Sequence, residues 1–189
     1  GHILNMGRSL HSPWVNTKLL KPGEEPRKWR ELLEPQWKGK VALAHPDISN
    51  VAVRIFYNII KDESYFRSLG TQVIYSPNTR TNGDQLARGE VPVIFSSSAI
   101  TMAPFALAGA PIKPIDMEEG VAGSFGTTLT LLNGAPHPNA AKVYLNWLLS
   151  REGQVVFNKS AGTNSFRKDV PNFEPPAAYL SPKKVIRET

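Results

Sequence analysis

The sequence has no cysteine among its 189 residues. Disulfide bonds, thiolate zinc sites and cysteine nucleophiles are therefore excluded from this chain. It also lacks an apolar run of about 18 residues, which a transmembrane helix would need. We therefore predict a globular chain with no membrane span.

Catalytic signatures are also missing. The sequence has no phosphate-binding Walker loop, no nucleophile elbow and no zinc-protease motif. Its three regularly spaced glycines, Gly120, Gly123 and Gly126, precede a predicted strand, whereas the dinucleotide-binding fingerprint follows one. We predict no enzyme activity, no catalytic residues, no cofactor and no metal site.

Positive charge is present but dispersed. The formal net charge is +6, and 20% of residues are charged. The basic residues form no run interleaved with aromatic residues, which a nucleic-acid-binding groove would need. The charge pattern favours a hydrated surface and predicts no nucleic-acid partner.

Short apolar runs alternate with helical patterns from residue 40 to residue 116. Strands are predicted at 40–44, 72–75, 92–95 and 112–115, with helices at 50–61, 81–88 and 98–108 between them. This alternation is typical of an α/β fold with a largely parallel sheet. Pro114 places the last of these strands at an edge of the sheet, because proline cannot donate to a ladder on both sides.

The segments on either side of this unit are predicted to be simpler. A loop or a single crossing strand is expected around 14–20, and a long strand over 127–132. Two short helices follow, because Pro136 and Pro138 suit a helix start and Ser150 suits the cap of a second helix. His137, between the two prolines, is interpreted as a residue that makes a turn or capping hydrogen bond.

Polar side chains follow three of the predicted parallel strands. Ligands of open α/β sheets lie outside the carboxyl ends of the strands, where the N–H groups of helix N-termini favour anions and polar oxygens. Each side chain taken alone also suits helix capping, and that alternative stays open. The candidate ligand-binding residues at these ends are Asp47, Ser49, Asn50, Arg80, Asn82, Ser96, Ser97 and Ser98.

Several segments resemble one protein family in the same order along the chain. They are NTKLLKPGEEPRKWRELLEPQWKGK at 16–40, AHPD at 44–47, QLARGE at 85–90, APHPNAAKVYLNWLLSREGQ at 135–154 and SFRKDV at 165–170. In these segments the chain resembles the bacterial extracellular solute-binding proteins of ABC importers, in the branch that includes the ferric-iron receptors. Ordered matches at the expected separations make the resemblance specific.

The resemblance implies a periplasmic-binding-protein fold in which two α/β lobes close over a solute. Residues 1–20 would hold the entry and first hinge strand, 21–117 one lobe, 118–132 the second hinge strand, and 133–189 a helical return to a second, incomplete lobe. Glu119 and Gly120 would lie near the hinge and line the cleft. The family's N-terminal region is not represented, so a C-terminal fragment or a shortened member is expected.

The resemblance also implies partners and a location. A small polar or anionic solute would be captured and delivered to an ABC permease at the inner membrane, in the periplasm or on an extracellular lipid anchor. A dimer through the face left by the incomplete lobe is a further expectation. The tyrosines are scattered, whereas the iron receptors use a tyrosine pair, which disfavours ferric iron. The alternative is the effector-sensing domain of a transcription regulator with the same fold.

Overall fold

The structure, a computed structural model, describes residues 3–48, 51–161, 164–173 and 180–187. These residues form seven strands, six α-helices and two short 3-10 helices (Trp29–Leu33 and Pro35–Trp37). The strands are β1 (Ile3–Asn16), β2 (Val41–Ala44), β3 (Ile74–Ser76), β4 (Val93–Ser98), β5 (Ile112–Pro114), β6 (Val121–Thr130) and β7 (Val185–Arg187). The helices are α1 (Val51–Ile60), α2 (Glu63–Gly70), α3 (Thr79–Arg88), α4 (Ala99–Leu107), α5 (Pro138–Leu149) and α6 (Arg151–Ala161).

All seven described strands belong to one sheet. Its order is β3-β2-β4-β1-β6-β7, and β5 pairs with β1 beyond the start of β6. Strand β1 is antiparallel to β4, β5 and β6, whereas β2 is parallel to β3 and β4, and β6 is parallel to β7. All of the described strands except β1 therefore run in one direction. The predicted α/β fold with a mostly parallel sheet is confirmed.

Apolar side chains cover both faces of the sheet. On one face Trp29, Phe56 and Phe95 pack together, with ring centroids 4.4–5.3 Å apart. On the other face, helices α3 and α4 bury Leu86 and Met102 against strands β1, β2 and β4. A sheet covered on both faces explains why β2 is a short, wholly buried apolar run rather than an alternating one.

Strand β1 lies earlier in the chain than predicted. It ends at Asn16, where the Asn16 side-chain amide donates to the carbonyl oxygen of Leu86 at 2.7 Å. The prediction of a strand around 14–20 is therefore wrong for its second half. The early part, with Gly7 and Ser9, lacks an apolar pattern, and its extended conformation comes from pairing with β6.

Beyond the sheet, β1 and β6 continue as a two-stranded antiparallel ribbon. Pairs run from His11 with Ala122 out to Ile3 with Thr130. Strand β6 thus begins at Val121, not near 127, and the two glycines at 123 and 126 lie inside it. These two glycines, expected to precede the strand, are therefore part of it, and β1 pairs with it.

Other boundaries differ from the predictions in smaller ways. Strand β3 begins at Ile74, two residues later than predicted, and a 3-10 helix (Trp29–Leu33) precedes β2. Helix α2 ends at Gly70, and Thr71 is its C-terminal cap residue. Among the described strands, Ile112–Pro114 pairs with β1 alone, which confirms its edge position.

Helices α5 and α6 confirm the two helices predicted for 136–154. The Ser150 hydroxyl accepts from the Gly153 N–H at 3.2 Å and caps α6. His137 stands at the cap position of α5, but its side chain makes no capping hydrogen bond, so that part of its interpretation is wrong. None of the described helices has the length and apolar character needed to span a bilayer.

Residues 185–187, which were assigned to the segment returning to a second lobe, pair with the start of β6 as strand β7. Between α6 and β7, the Phe166 N–H donates to the Met6 carbonyl oxygen of β1 at 3.4 Å. The chain after α6 therefore contacts both β1 and the edge of the sheet. The division of the chain into lobes stays a prediction.

Candidate functional site

Three parallel strands end at the same edge of the sheet. Ala44, the last residue of β2, pairs with Ser76, the last residue of β3, and β4 runs beside β2 in the same direction. Helices α3 and α4 begin directly after β3 and β4. The first-turn N–H groups of these two helices therefore lie at this edge, as the sequence predicted.

The start of α3 is capped by Asn78. Its side-chain oxygen accepts from the Thr81 N–H at 2.9 Å. The next turn buries Asn82, whose side-chain oxygen accepts from the Ser76 hydroxyl. The Asn82 amide nitrogen is also buried, and it has no hydrogen-bond partner in the described part of the chain.

The Ser96–Ser98 segment lies at the end of β4, and all three serines are buried. Ser98 caps α4 by accepting from the Thr101 N–H at 3.4 Å, so the capping alternative holds for this residue. The Ser97 carbonyl accepts from the indole N–H of Trp14 at 3.3 Å. The Ser97 hydroxyl, by contrast, is buried without a partner among the described residues.

Arg80 brings positive charge to the first turn of α3. Its side chain is exposed, and its guanidinium carbon lies 4.7 Å from the centroid of the Phe105 ring of α4. Within residues 3–48, 51–161, 164–173 and 180–187 no carboxylate forms a salt bridge with it. The guanidinium N–H groups are thus available at the edge that the sequence predicted.

The end of β2 leads to His45 and Asp47. The Asp47 N–H donates to His45 Nδ1 at 3.3 Å, and the Asp47 carboxylate lies 3.7 Å from the same nitrogen. The His45 ring also packs against Tyr75 of β3, with centroids 4.8 Å apart. Two further predicted site residues, Ser49 and Asn50, lie outside the described residues.

Glu119 and Gly120 lie away from these strand ends. A carboxylate oxygen of Glu119 accepts from the Trp29 N–H at 3.3 Å, and the Gly120 carbonyl accepts from the Trp29 indole at 3.1 Å. Both residues thus hold the 3-10 helix against the sheet. Their role in ligand binding stays a prediction.

His11 is a residue at this edge that the sequence did not indicate. It pairs with Ser98 on one side and with Ala122 on the other, at the level where the ribbon leaves the sheet. Burial lowers the pKa of its imidazole to about 4, so the ring is neutral at physiological pH. The residues around His11 show no apolar periodicity, so the local sequence could not predict that it lies at this edge.

No group of three or more histidine, aspartate or glutamate side chains in the described ranges is placed to hold a metal ion. The described tyrosines differ in burial and in the elements on which they lie. Tyr65 is buried and donates to the Trp29 carbonyl at 2.7 Å, whereas Tyr57, Tyr75 and Tyr144 are exposed on separate elements. At the edge itself the Arg80 guanidinium is exposed, whereas the Ser97 hydroxyl and the Asn82 amide are buried.

Comparison with known proteins gives one family and one fold. The family model described as "Bacterial extracellular solute-binding protein" matches residues 14–162. An uncharacterized protein of Haemophilus influenzae is 28% identical over 178 residues, which cover 87% of this chain and 50% of that protein. The chain thus spans about half the length of the curated relative that it matches.

Solved structures give the same fold. The periplasmic binding protein AfuA from Actinobacillus pleuropneumoniae, with exogenous fructose-6-phosphate bound, has a TM-score of 0.74 at 24% identity, over 94% of this chain and 58% of that chain. Iron-bound HitA from Pseudomonas aeruginosa has a TM-score of 0.75 at 17% identity, over 97% of this chain and 61% of that chain. At these identities the two comparisons show a shared fold, which is the fold of the periplasmic binding proteins.

Proposed function

Because the chain belongs to the bacterial extracellular solute-binding proteins, we propose that it captures a small anionic solute for an ABC importer. The observation that carries the proposal is the common edge of β2, β3 and β4, where the first turns of α3 and α4 begin beside the Arg80 guanidinium. Helix N-termini and a guanidinium both favour a bound oxyanion. The solute would lie across this edge.

The charge of the predicted site supports an anion rather than a metal ion. Arg80 is positive, and the Ser97 hydroxyl and the Asn82 amide are neutral groups with unused hydrogen-bonding capacity in the described chain. Asp47 is the acidic residue predicted there, and its side chain is 88% exposed. A water-exposed carboxylate opposes a neighbouring anion only weakly, because solvent screens it.

The test is ligand screening by thermal shift and calorimetry with fructose 6-phosphate, fructose, inorganic phosphate and ferric citrate. We expect the two phosphate-bearing ligands to raise the melting temperature and fructose to leave it unchanged. Arg80→Gln should abolish that effect. Arg88→Gln, which removes a charge at the far end of the same helix, should preserve it. Stabilisation by fructose with no effect of the two phosphate-bearing ligands would overturn the anionic solute.

We further propose that α5 and the β1–β6 ribbon face a second lobe. Val143 and Tyr144 of α5 are exposed, Val143 by 71%, while Leu148 on the same helix is buried. At the outer end of the ribbon, Ile3 is also exposed. On α5, Val143, Tyr144 and Trp147 are exposed at helical spacing, which is typical of an interaction surface. The relatives' greater length, of which this chain covers 58% in AfuA, supports a lobe of the same protein as the occupant.

Trp147 provides a direct test of that surface. It is 40% exposed, whereas Trp14, Trp29 and Trp37 are buried, so quenching by acrylamide in the 189-residue chain reports mainly on Trp147. In a longer gene product that contains the second lobe, we expect the quenching constant to fall. An unchanged constant would overturn the second lobe as the occupant. A dimer of the 189-residue chain in sedimentation, with Trp147 protected, would assign the surface to a second copy instead.

The proposed partners and location follow from importer function. The solute-loaded protein would deliver its ligand to an ABC permease at the inner membrane, from the periplasm or from an extracellular lipid anchor. Deletion of the gene should abolish uptake of the solute found by screening, and unchanged uptake would contradict delivery. The alternative of an effector-sensing domain of a transcription regulator stays a prediction, which specific DNA binding by the complete gene product would support.

A further inference from the structure

The Arg80 side chain is held by an aromatic ring rather than by an acid. Its guanidinium carbon lies 4.7 Å from the centroid of Phe105, which is nearly buried in α4. Asp84 stands four residues along α3, at the spacing of a helical ion pair, but no salt bridge joins it to Arg80 in the described chain. The guanidinium therefore lies over the ring, and no carboxylate of the described chain neutralises its charge.

Gly83 makes this stacking geometry possible. It is buried one turn after Arg80, on the side of α3 that faces α4. A Cβ atom at this position would lie 2.6 Å from Phe105 Cε2 and 3.3 Å from the Met102 sulfur. The absence of a side chain at 83 thus lets the Phe105 ring lie against α3, directly below the arginine.

We propose that Phe105, seated against Gly83, is a positioning residue that holds the Arg80 guanidinium flat for bidentate binding of an oxyanion. This inference rests on the proposed function and narrows its substrate class to solutes with a phosphate or similar oxyanion group. A guanidinium stacked on a ring keeps its in-plane N–H groups free, and these match two oxygens of one anion. The ring also restricts the side-chain rotamers, so less freedom is lost on binding.

The position should therefore require arginine itself. Lysine keeps the charge but offers a point charge on a flexible stem, without the planar fork that stacks and binds two oxygens. We expect Arg80→Lys to weaken phosphate binding about tenfold. Phe105→Leu keeps an apolar side chain of similar size and removes the ring, so the loss should be smaller, about two- to fivefold.

The experiment is an NMR titration of the 189-residue chain with inorganic phosphate, observing the Arg80 side-chain Nε–Hε resonance. Before phosphate is added, the ring should shift this resonance upfield in the wild type and in Phe105→Tyr, but not in Phe105→Leu. Phosphate affinity should follow the same order. Arg88→Gln, which removes a positive charge at the other end of α3, is the control and should bind like the wild type.

Gly83→Ala gives a second route to the same result, because it displaces the ring without altering Phe105 or Arg80. It should also reduce phosphate affinity and move the Arg80 resonance toward its Phe105→Leu position. A melting temperature for each variant separates loss of positioning from loss of folding. If the ring had only a structural role, Phe105→Tyr and Phe105→Leu variants of equal melting temperature would bind phosphate equally. Tighter binding by Phe105→Tyr would therefore support the positioning role.

Two failures are distinguishable. Wild-type affinity in Phe105→Leu and Gly83→Ala, with phosphate still bound at Arg80, would overturn the positioning role and leave the anionic solute standing. No phosphate binding by the wild type, with the upfield Arg80 resonance present, would overturn the proposed anion site and with it the oxyanion class inferred for Arg80.

Discussion

Gly153 packs so closely on Leu148 that a Cβ atom at residue 153 would lie 2.7 Å from the Leu148 Cα. The two residues belong to the helices on either side of the Ser150 corner, and both are buried. The contact involves backbone, which cannot move aside as a flexible side chain can. The α5–α6 corner therefore depends on glycine at this position.

Gly153→Ala should destabilise the protein, because the added methyl group forces α5 and α6 apart. We expect a loss of about 1–3 kcal/mol in the free energy of unfolding, the usual cost of overpacking. Urea denaturation followed by circular dichroism measures it. Lys159→Ala, on the exposed side of α6, is the control and should change stability by less than about 0.5 kcal/mol. Equal stability of the two variants would contradict the tight corner.

Ser150→Ala should remove the cap of α6, because the Ser150 hydroxyl accepts from the Gly153 N–H at 3.2 Å. The expected loss is about 0.5–2 kcal/mol in the free energy of unfolding. Ser150→Asp should restore most of it, since a carboxylate accepts the same bond and also favours the positive end of the helix. If the aspartate variant were no more stable than the alanine variant, the hydroxyl would not act as a cap.

His11 should make stability depend on pH in mildly acidic solution. Burial lowers its pKa from the ordinary 6.5 to about 4, so the unfolded chain binds a proton more readily than the folded one. The contribution of the neutral ring is complete above about pH 6.5 and is lost as the pH falls through 4. The loss should be on the order of 2 kcal/mol.

Urea midpoints of the wild type and of His11→Gln between pH 7.5 and pH 4 check this prediction. The glutamine variant keeps a neutral polar side chain and should show a flatter profile across that window. Parallel profiles for the two proteins would mean that the imidazole titrates normally in the folded state.

Asp62 should make stability depend on pH in a more acidic range than His11 does. Its carboxylate accepts from the Ser64 hydroxyl at 2.6 Å and from Arg30 at 2.7 Å, and these bonds lower its pKa to about 2. The stability that it gives is complete above its unfolded pKa of about 3.9 and is lost as the pH falls through 2. Asp62→Asn keeps a capping side chain and should lose this dependence.

Acid unfolding of the wild type and Asp62→Asn between pH 5 and pH 2 measures the difference. The wild type should be the more stable protein at pH 5, and the gap should close toward pH 2. A gap that stays constant across this range would show that the asparagine variant loses packing or capping rather than a charge-dependent bond.

The sequence predicted the helices well where their ends carry chemistry of their own. Asn78 and Gly89 delimit α3, one by a capping bond and the other by a left-handed backbone with φ of 75°. Ser98 marks the start of α4 in the same way. Such signals are local, so one sequence suffices to find them.

The early strand and part of the site could not be predicted, because their order comes from distant residues. Ile3–Leu10 is extended because it pairs with β6, more than 100 residues later in the chain. The contact of Phe105 with Arg80 joins two helices across a strand, and His11 reaches the edge through its pairing with Ser98. Neighbouring residues in the sequence carry no trace of these contacts.

The ribbon of β1 and β6 also has a mechanical consequence. Two strands joined by a ladder of hydrogen bonds resist sliding past each other more than they resist flexing out of their common plane. In the proposed two-lobe architecture, the ribbon would connect the lobes and would flex most easily out of its plane. Opening and closing would then follow a single path, and the Arg80 edge would meet the opposite lobe in the same orientation at every closure.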